Sequence, residues 1–182
     1  MKLAVIARKF SRWISVCCVL AIGFCLGSPC AFSADATPPC ANPESRQLDF
    51  WLGDWTVGGP GAGSDAVSKV YLSLDRCLLI ENWDGGRGHT GQNTFAYSSD
   101  DGSWHGMFAD NRGRVHVFEG KAAADAVEFV GPSRGPQGEA DLNRVRIVRV
   151  GPDKVEQIWE KSSDHGDTWT TEFRGEYQRK KS

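Results

Sequence analysis

From residue 48 onward, hydrophobic residues alternate with polar ones in short runs, and turn-forming residues separate the runs. In residues 48–57, Trp51, Trp55 and Val57 fall on one side of an extended chain, because strand side chains alternate between two faces. Gly53 lies on the same side and indicates a bend or a close backbone approach. The segment therefore predicts the opening strand of a small antiparallel barrel.

The rest of the chain repeats this pattern, with clusters of Gly, Asp, Asn and Ser between the runs. Short strands at nearly regular spacing are typical of an all-β sandwich or barrel. No long 3.6-residue apolar period follows the first 36 residues, so no helix is predicted beyond a turn near residues 44–49. The predicted strands cover residues 50–58, 67–73, 77–84, 91–98, 103–109, 114–120, 126–130, 142–150, 154–161 and 168–178.

The last strand has the clearest alternation. One face is predicted to carry Trp169, Thr171, Phe173, Gly175 and Tyr177, and the other face is polar. The preceding residues 162–169 fit the S-x-D-x-G-x-T-W pattern of the Asp-box hairpin found in sialidase propellers. A single copy in so small a domain does not make a propeller. We interpret it as a hairpin whose Ser and Asp side chains bond to the turn backbone.

The first 36 residues have the three-part layout of a secretory signal peptide. Basic residues precede an apolar run of 15 residues, which is shorter than the roughly 20 needed to span a bilayer. Cleavage after Ala36 is predicted, with a mature start at Asp35 as the close alternative and an uncleaved anchor as the less favoured one. The chain then divides into a signal peptide (residues 1–36), an irregular lead-in (37–47) and a barrel (48–179), exported to the periplasm or the exterior.

Removal of the signal peptide leaves 17 basic and 22 acidic residues, a formal charge of −5. This charge disfavours nucleic acid or an anionic membrane as a partner. Two cysteines remain, Cys40 and Cys77, an even count for an oxidising compartment. A disulfide between them is predicted, and its closed loop would stabilise the fold by about 4 kcal/mol. After signal cleavage no stable membrane span is predicted, and nothing in the sequence indicates an oligomeric state.

Several polar residues share strand faces with aromatic ones. Glu81 lies between two inward apolar residues, Gln157 shares a face with Trp159, and Asn93 shares one with Phe95. An aromatic interior with a few polar groups suits a small-molecule ligand. Plain core packing, in which an inward Glu or Gln satisfies a buried backbone group or an arginine such as Arg144 or Arg146, is the alternative. The predicted ligand-binding residues are Trp55, Glu81, Trp83, Asn93, Trp104, Gln157 and Trp159.

The histidines do not form a metal-binding pattern. His89 and His165 lie in predicted turns and are expected to be exposed, and His105 and His116 lie on adjacent strands and are expected to face outward. An iron-ligand role for either of the latter is the weaker hypothesis. Known nucleophile, phosphate-binding and dinucleotide motifs are absent from the sequence. No metal, no cofactor and no catalytic residue is predicted.

Several of these segments together resemble a widespread group of secreted bacterial proteins of unknown function that open with a DFWLGxW motif. The segments are residues 49–55, 77–83 and 162–169, together with Asn93, Tyr97, Trp104, Phe173 and Tyr177. The resemblance covers most of residues 47–179 and implies a lipocalin-like (calycin or nitrobindin-like) antiparallel barrel of roughly ten strands with a central cavity. It brings no catalytic residues and no haem. This chain has Gly106 where the family leads us to expect Gln, which would widen the cavity or remove a polar contact.

The first functional hypothesis is therefore a secreted or periplasmic barrel that binds a small, partly apolar ligand. The alternatives are an enzyme that uses Glu81 as acid or base, which needs a raised carboxyl pKa and a path to solvent, and an interaction module with a filled core.

Overall fold

Ten antiparallel strands form a closed barrel in the computed structural model, which describes residues 38–135 and 137–181. Each strand pairs with its neighbours in sequence, and β1 closes the barrel against β10. The predicted signal peptide lies outside the described residues. The strands are β1 (Gly53–Gly58), β2 (Val67–Ser73), β3 (Leu78–Asp84), β4 (Thr90–Ser98), β5 (Ser103–Asp110), β6 (Val115–Ala123), β7 (Ala126–Arg134), β8 (Ala140–Gly151), β9 (Lys154–Ser162) and β10 (Thr170–Arg179).

All ten predicted strands are confirmed, as is the all-β antiparallel barrel. The bounds differ most at β1, which begins at Gly53 and not at residue 50, and at β7, which continues to Arg134 and does not end at residue 130. Two 3-10 helices precede β1, Pro43–Arg46 and Asp49–Trp51, so the expected helical turn is also confirmed. No helix within the described residues is long and apolar enough to cross a membrane.

The two 3-10 helices lie at one end of the barrel, which we call the closed end. There the Trp104 indole donates to the Gln47 side chain at 2.9 Å, and the Arg179 guanidinium donates to the Leu52 carbonyl at 2.6 Å. The predicted disulfide is present between Cys40 and Cys77, with a Cα–Cα distance of 5.2 Å. The lead-in is thus fixed to the turn that precedes β3.

The half of the barrel next to the closed end is filled by aromatic side chains. Trp51 packs 6.0 Å from Phe95 and 5.8 Å from Tyr177, measured between ring centroids, and Phe95 packs 4.6 Å from Phe129. Gly106 makes this possible, because a Cβ there would lie 2.8 Å from the Phe95 ring. The expectation that Gly106 widens the cavity is wrong, since the Phe95 and Phe129 rings occupy the space beside it.

The Asp-box hairpin between β9 and β10 has the predicted bonding. The Asp164 carboxylate accepts from the Thr168 backbone N–H at 2.9 Å and from its hydroxyl at 2.6 Å, while Ser162 accepts from the Gly166 N–H. These bonds lower the pKa of Asp164 to about 2.

The predicted inward face of the last strand is correct only for its second half. A β-bulge lies between Thr171 and Phe173, so the alternation is interrupted there. Phe173 and Tyr177 point inward, whereas Thr171 is exposed and Trp169 lies under the Arg144 guanidinium on the outer face, 4.2 Å from it. Alternating apolar and polar residues in the sequence do not show where a bulge lies. The side chains before the bulge change face, while the alternation in the sequence itself is unbroken.

Candidate functional site

A cavity of about 450 Å³ occupies the end of the barrel opposite the two 3-10 helices. We call this the open end, because the turns that surround it leave the interior accessible. The lining side chains come from the ends of strands next to the β1–β2, β3–β4, β5–β6, β7–β8 and β9–β10 turns. A volume of this size suits a small organic molecule, for which pockets of about 300–1,000 Å³ are usual.

Aromatic rings form the apolar part of the cavity wall. Phe108 on β5 packs edge-on against Trp159 on β9, with ring centroids 5.3 Å apart, and Trp83 on β3 packs likewise against Phe173 at 6.0 Å. Each ring is on an inward position of its strand, so its orientation is set by the barrel wall. The wall therefore offers flat apolar surfaces fixed on rigid strands.

Amide side chains form the floor of the cavity. Asn93 and Gln157 both line it and are almost entirely buried. Directly beneath them is Glu81, which is 0% exposed and is not among the lining residues. Its carboxyl group accepts a hydrogen bond from Asn93 at 2.7 Å and another from the Ser68 hydroxyl at 2.7 Å.

Glu81 is buried among neutral partners. Burial is the largest influence and raises its pKa, and the hydrogen bonds from Ser68, Tyr177 and Asn93 only partly oppose this. Burial also raises the pKa of Tyr177 well above its usual value, and the adjacent Glu81 carboxylate adds to this effect. The buried pair therefore favours a protonated carboxyl and a neutral phenol.

The Tyr177 hydroxyl links Glu81 to the cavity floor. Its oxygen lies 2.9 Å from Glu81 Oε1 and 3.0 Å from Gln157 Oε1, but a phenol has one hydrogen to donate. When Glu81 is protonated, its hydroxyl donates to Tyr177 and Tyr177 donates to Gln157, so both contacts are hydrogen bonds. An ionised Glu81 takes the Tyr177 hydrogen itself, which leaves two oxygens facing each other unless the Gln157 amide rotates.

Two histidines line the cavity, contrary to expectation. His116 was expected to face outward, but it faces inward, packs 5.2 Å from Trp159 and accepts from the Asn143 amide at 2.8 Å through Nδ1. Burial, followed by the Arg114 charge, lowers the pKa of His116. His89 was expected to be exposed, but only 17% of its side chain is, because it packs against Trp83 and bonds to Asp110.

The other two histidines are exposed, as expected, and His105 bonds to Asp101 on the outer surface. Within residues 38–135 and 137–181, no three His, Cys, Asp or Glu side chains are placed to hold a metal ion.

Charged side chains surround the mouth of the cavity: Arg112, Arg114, Arg134, Lys161 and Glu172. Two of the cations are neutralised. Arg114 lies 2.7 Å from Asp110, and Lys161 lies 2.7 Å from Asp141. Burial acts to raise the pKa of Asp110, but the bonds from His89, Arg114 and the backbone outweigh it and hold that pKa well below its usual range.

The structure separates the predicted ligand-binding residues into three groups. Trp83, Asn93, Gln157 and Trp159 line the cavity. Glu81 lies beneath the floor, in contact with Asn93. Trp55 and Trp104 lie towards the closed end, where Trp55 bonds to the Trp51 carbonyl and Trp104 bonds to Gln47.

An arginine does not satisfy the inward polar groups. Arg144 and Arg146 both bind Glu160 on the outer face, at 2.8 and 3.2 Å. The interpretation that one of them neutralises Glu81 is therefore wrong.

The predicted ligand-binding set left out the mouth residues and several other side chains that line the cavity: Phe108, Phe173, His89, His116 and Asn143. Phe108 could have been identified from the sequence, because it shares a strand face with Trp104. Arg112 and Arg134 could have been identified because they lie beside turns at the same end of an up-and-down barrel. No family model matches the chain, and no curated protein matches it.

Proposed function

We propose that this protein is an exported barrel that binds a small, partly apolar ligand in the open-end cavity. The observation that carries the proposal is the combination of an accessible cavity of about 450 Å³ with ring pairs on its wall and buried amides on its floor. Aromatic walls with few polar groups are the usual composition of small-molecule sites. The disulfide supports export, because such bonds persist mainly in oxidising compartments.

We also propose that the chain is related to the DFWLGxW group, whose expected fold is an antiparallel barrel of about ten strands. It assigns Trp83, Trp159, Asn93 and Gln157 to direct ligand contact. It assigns Glu81 to holding Asn93 and Gln157 in place, and Trp55 and Trp104 to the packing that supports the floor. Catalysis by Glu81 is less well supported, because its carboxyl group has the raised pKa that an acid needs but no exposure to solvent.

Saturable binding of a neutral apolar dye tests the proposal. The fluorescence of N-phenyl-1-naphthylamine should rise on titration with the exported form of the protein and saturate at one dye per chain. Replacement of Trp159 by Ala should weaken this binding about tenfold, since an aromatic contact contributes roughly 0.5–1.5 kcal/mol beyond the apolar area that it buries. The matched control is Trp169→Ala, which removes an indole from the outer face.

Circular dichroism and the melting temperature establish that both variants are folded before affinities are compared. Absence of saturable dye binding to the wild-type protein would overturn the proposal. Equal weakening by Trp159→Ala and Trp169→Ala would place the dye outside the cavity and would count against it as well.

A further inference from the structure

The charge at the mouth of the cavity is opposite to the charge of the chain. The predicted mature chain carries a formal charge of −5, yet the lining includes four cationic side chains and only one acidic side chain, Glu172. Arg114 and Lys161 are paired with carboxylates. Within the described part of the chain, Arg112 and Arg134 form no ion pair, and Arg134 donates only to the Gly138 carbonyl, at 3.3 Å. Two positive charges without a counter-charge therefore lie at the mouth.

The unpartnered polar atoms of the cavity wall are donors. Among the lining side chains that the structure describes, Trp83 Nε1 and Gln157 Nε2 are buried without a hydrogen-bond partner. His116 adds a third N–H, because its Nδ1 accepts from Asn143 and its ring hydrogen is therefore on Nε2. Buried N–H groups normally have an acceptor, so the ligand is expected to bring acceptors.

The apolar surfaces of the cavity are flat rings. The Phe108–Trp159 and Trp83–Phe173 pairs both meet edge to face, with interplanar angles of 72° and 80°. Aromatic side chains arranged in this way suit stacked or edge-on contact with another planar ring. A fused two-ring molecule is smaller than the 450 Å³ available.

We propose that the ligand is an aromatic carboxylate, with its ring held by the two aromatic pairs and its carboxylate attracted by Arg112 and Arg134. A carboxylate supplies the negative charge that the two guanidinium groups lack, and its oxygens accept hydrogen bonds from N–H donors. This assignment rests on the proposed binding function and narrows its ligand to one chemical class.

Two naphthalene derivatives of the same shape test the proposal. The affinities of 2-naphthoate and 2-naphthamide are measured by displacement of N-phenyl-1-naphthylamine, at low and at high NaCl concentration. The expected result is at least tenfold tighter binding of the carboxylate, with the preference shrinking in high salt because salt screens exposed charges.

Charge variants test the assignment of the arginines. The double variant Arg112→Gln/Arg134→Gln should lose about tenfold in affinity for 2-naphthoate and little for 2-naphthamide. The control Lys69→Gln/Lys121→Gln makes the same change in net charge at exposed positions away from the cavity and should change neither affinity. The variant Glu172→Gln removes the one acidic lining residue and should tighten 2-naphthoate binding severalfold, a gain that misfolding cannot produce.

The outcomes separate the two proposals. If the neutral dye binds saturably but the carboxylate and the amide bind equally, the cavity binds ligands and the aromatic-carboxylate assignment is overturned. Equal loss of carboxylate binding in the arginine variant and in the lysine control also overturns it. If neither the dye nor any naphthalene derivative binds, both proposals fail together.

Discussion

Glu81 is the residue in which burial has the greatest chemical consequence. It has no exposed surface, and among the described residues its polar neighbours are four neutral side chains and no cation. A carboxylate in such a place loses its hydration without gaining a counter-charge, so the protonated form is favoured. With the Gln157 amide oriented as in this structure, only that form allows the Tyr177 hydroxyl to bond to Gln157 and to Glu81 at the same time.

The stability of the protein should therefore depend on the ionisation of Glu81. Because its pKa is raised in the folded state, its contribution is fully present below the unfolded-state pKa, about 4.3. The contribution is lost as the pH rises through the folded-state pKa, by up to about 1.4 kcal/mol per pH unit. Relative to the variant Glu81→Gln, the free energy of unfolding of the wild-type protein should thus fall as the pH is raised from 4 to 8.

Urea unfolding at each pH measures the free energy of unfolding of both proteins. Subtracting the variant's value from the wild-type value cancels the contributions of groups that titrate in both proteins. The matched control is Glu128→Gln, which removes an exposed carboxylate from the outer face of β7. A difference that stays flat, or one that rises with pH, would contradict a raised Glu81 pKa.

At the scale of elements, paired strands place a small residue opposite a large one. Gly106 on β5 faces Phe95 on β4, and Gly120 on β6 faces Phe129 on β7. The Phe95 and Phe129 rings then lie across the glycines and fill the half of the barrel next to the closed end. Strand pairing thus fixes which half of the interior is solid and which half remains open.

A methyl group at residue 106 should therefore be costly. In Gly106→Ala the new Cβ would lie 2.8 Å from two atoms of the Phe95 ring. Overpacking of this kind typically costs about 1–3 kcal/mol. The control is Gly151→Ala at the end of β8, where a Cβ meets nothing within 4 Å, and it should be neutral or slightly stabilising.

Thermal and urea unfolding of both variants check this prediction. If the two alanine variants had equal stability, the Phe95 ring would have room to move, and the half of the barrel next to the closed end would not be tightly packed.

The alternation of residues along each strand accounts for what the sequence could predict. It correctly placed Glu81, Asn93 and Gln157 inside the barrel, because side-chain direction is a local property of a strand. It could not place residues along the barrel axis, so Trp104 at the closed end and Trp159 at the cavity looked equivalent. It also failed for His89, whose burial depends on contacts of its turn with Trp83 and Asp110.

Residues 38–135 and 137–181 form a barrel that is closed at one end by its lead-in segment. The lead-in is held by the Cys40–Cys77 disulfide and by bonds such as Trp104 to Gln47. It brings Trp51 into the interior, where the indole packs against Phe95 and Tyr177. Among the described residues, this segment covers one end of the barrel, and the open-end cavity lies at the other.

Loss of the disulfide should weaken the whole fold. The bond closes a loop with a sequence separation of 37 residues. Its removal in Cys40→Ser/Cys77→Ser should lower the free energy of unfolding by about 2–4 kcal/mol, because the unfolded chain regains freedom. Urea unfolding measures the change, and the reduced wild-type protein serves as the matched sample. Equal midpoints for oxidised and reduced protein would contradict this prediction.

The same disulfide determines how the molecule carries a mechanical load. A pulling force applied before Cys40 and after Arg179 passes from Cys40 directly to Cys77 through the sulfur atoms, so the intervening segment bears no tension. That segment includes β1 and β2. Stretching can therefore extend the chain only from β3 onward. The segment closed by the disulfide would add about 120 Å if it could extend, at roughly 3.3–3.6 Å per residue. A fully extended oxidised chain is thus a shorter tether than a reduced one.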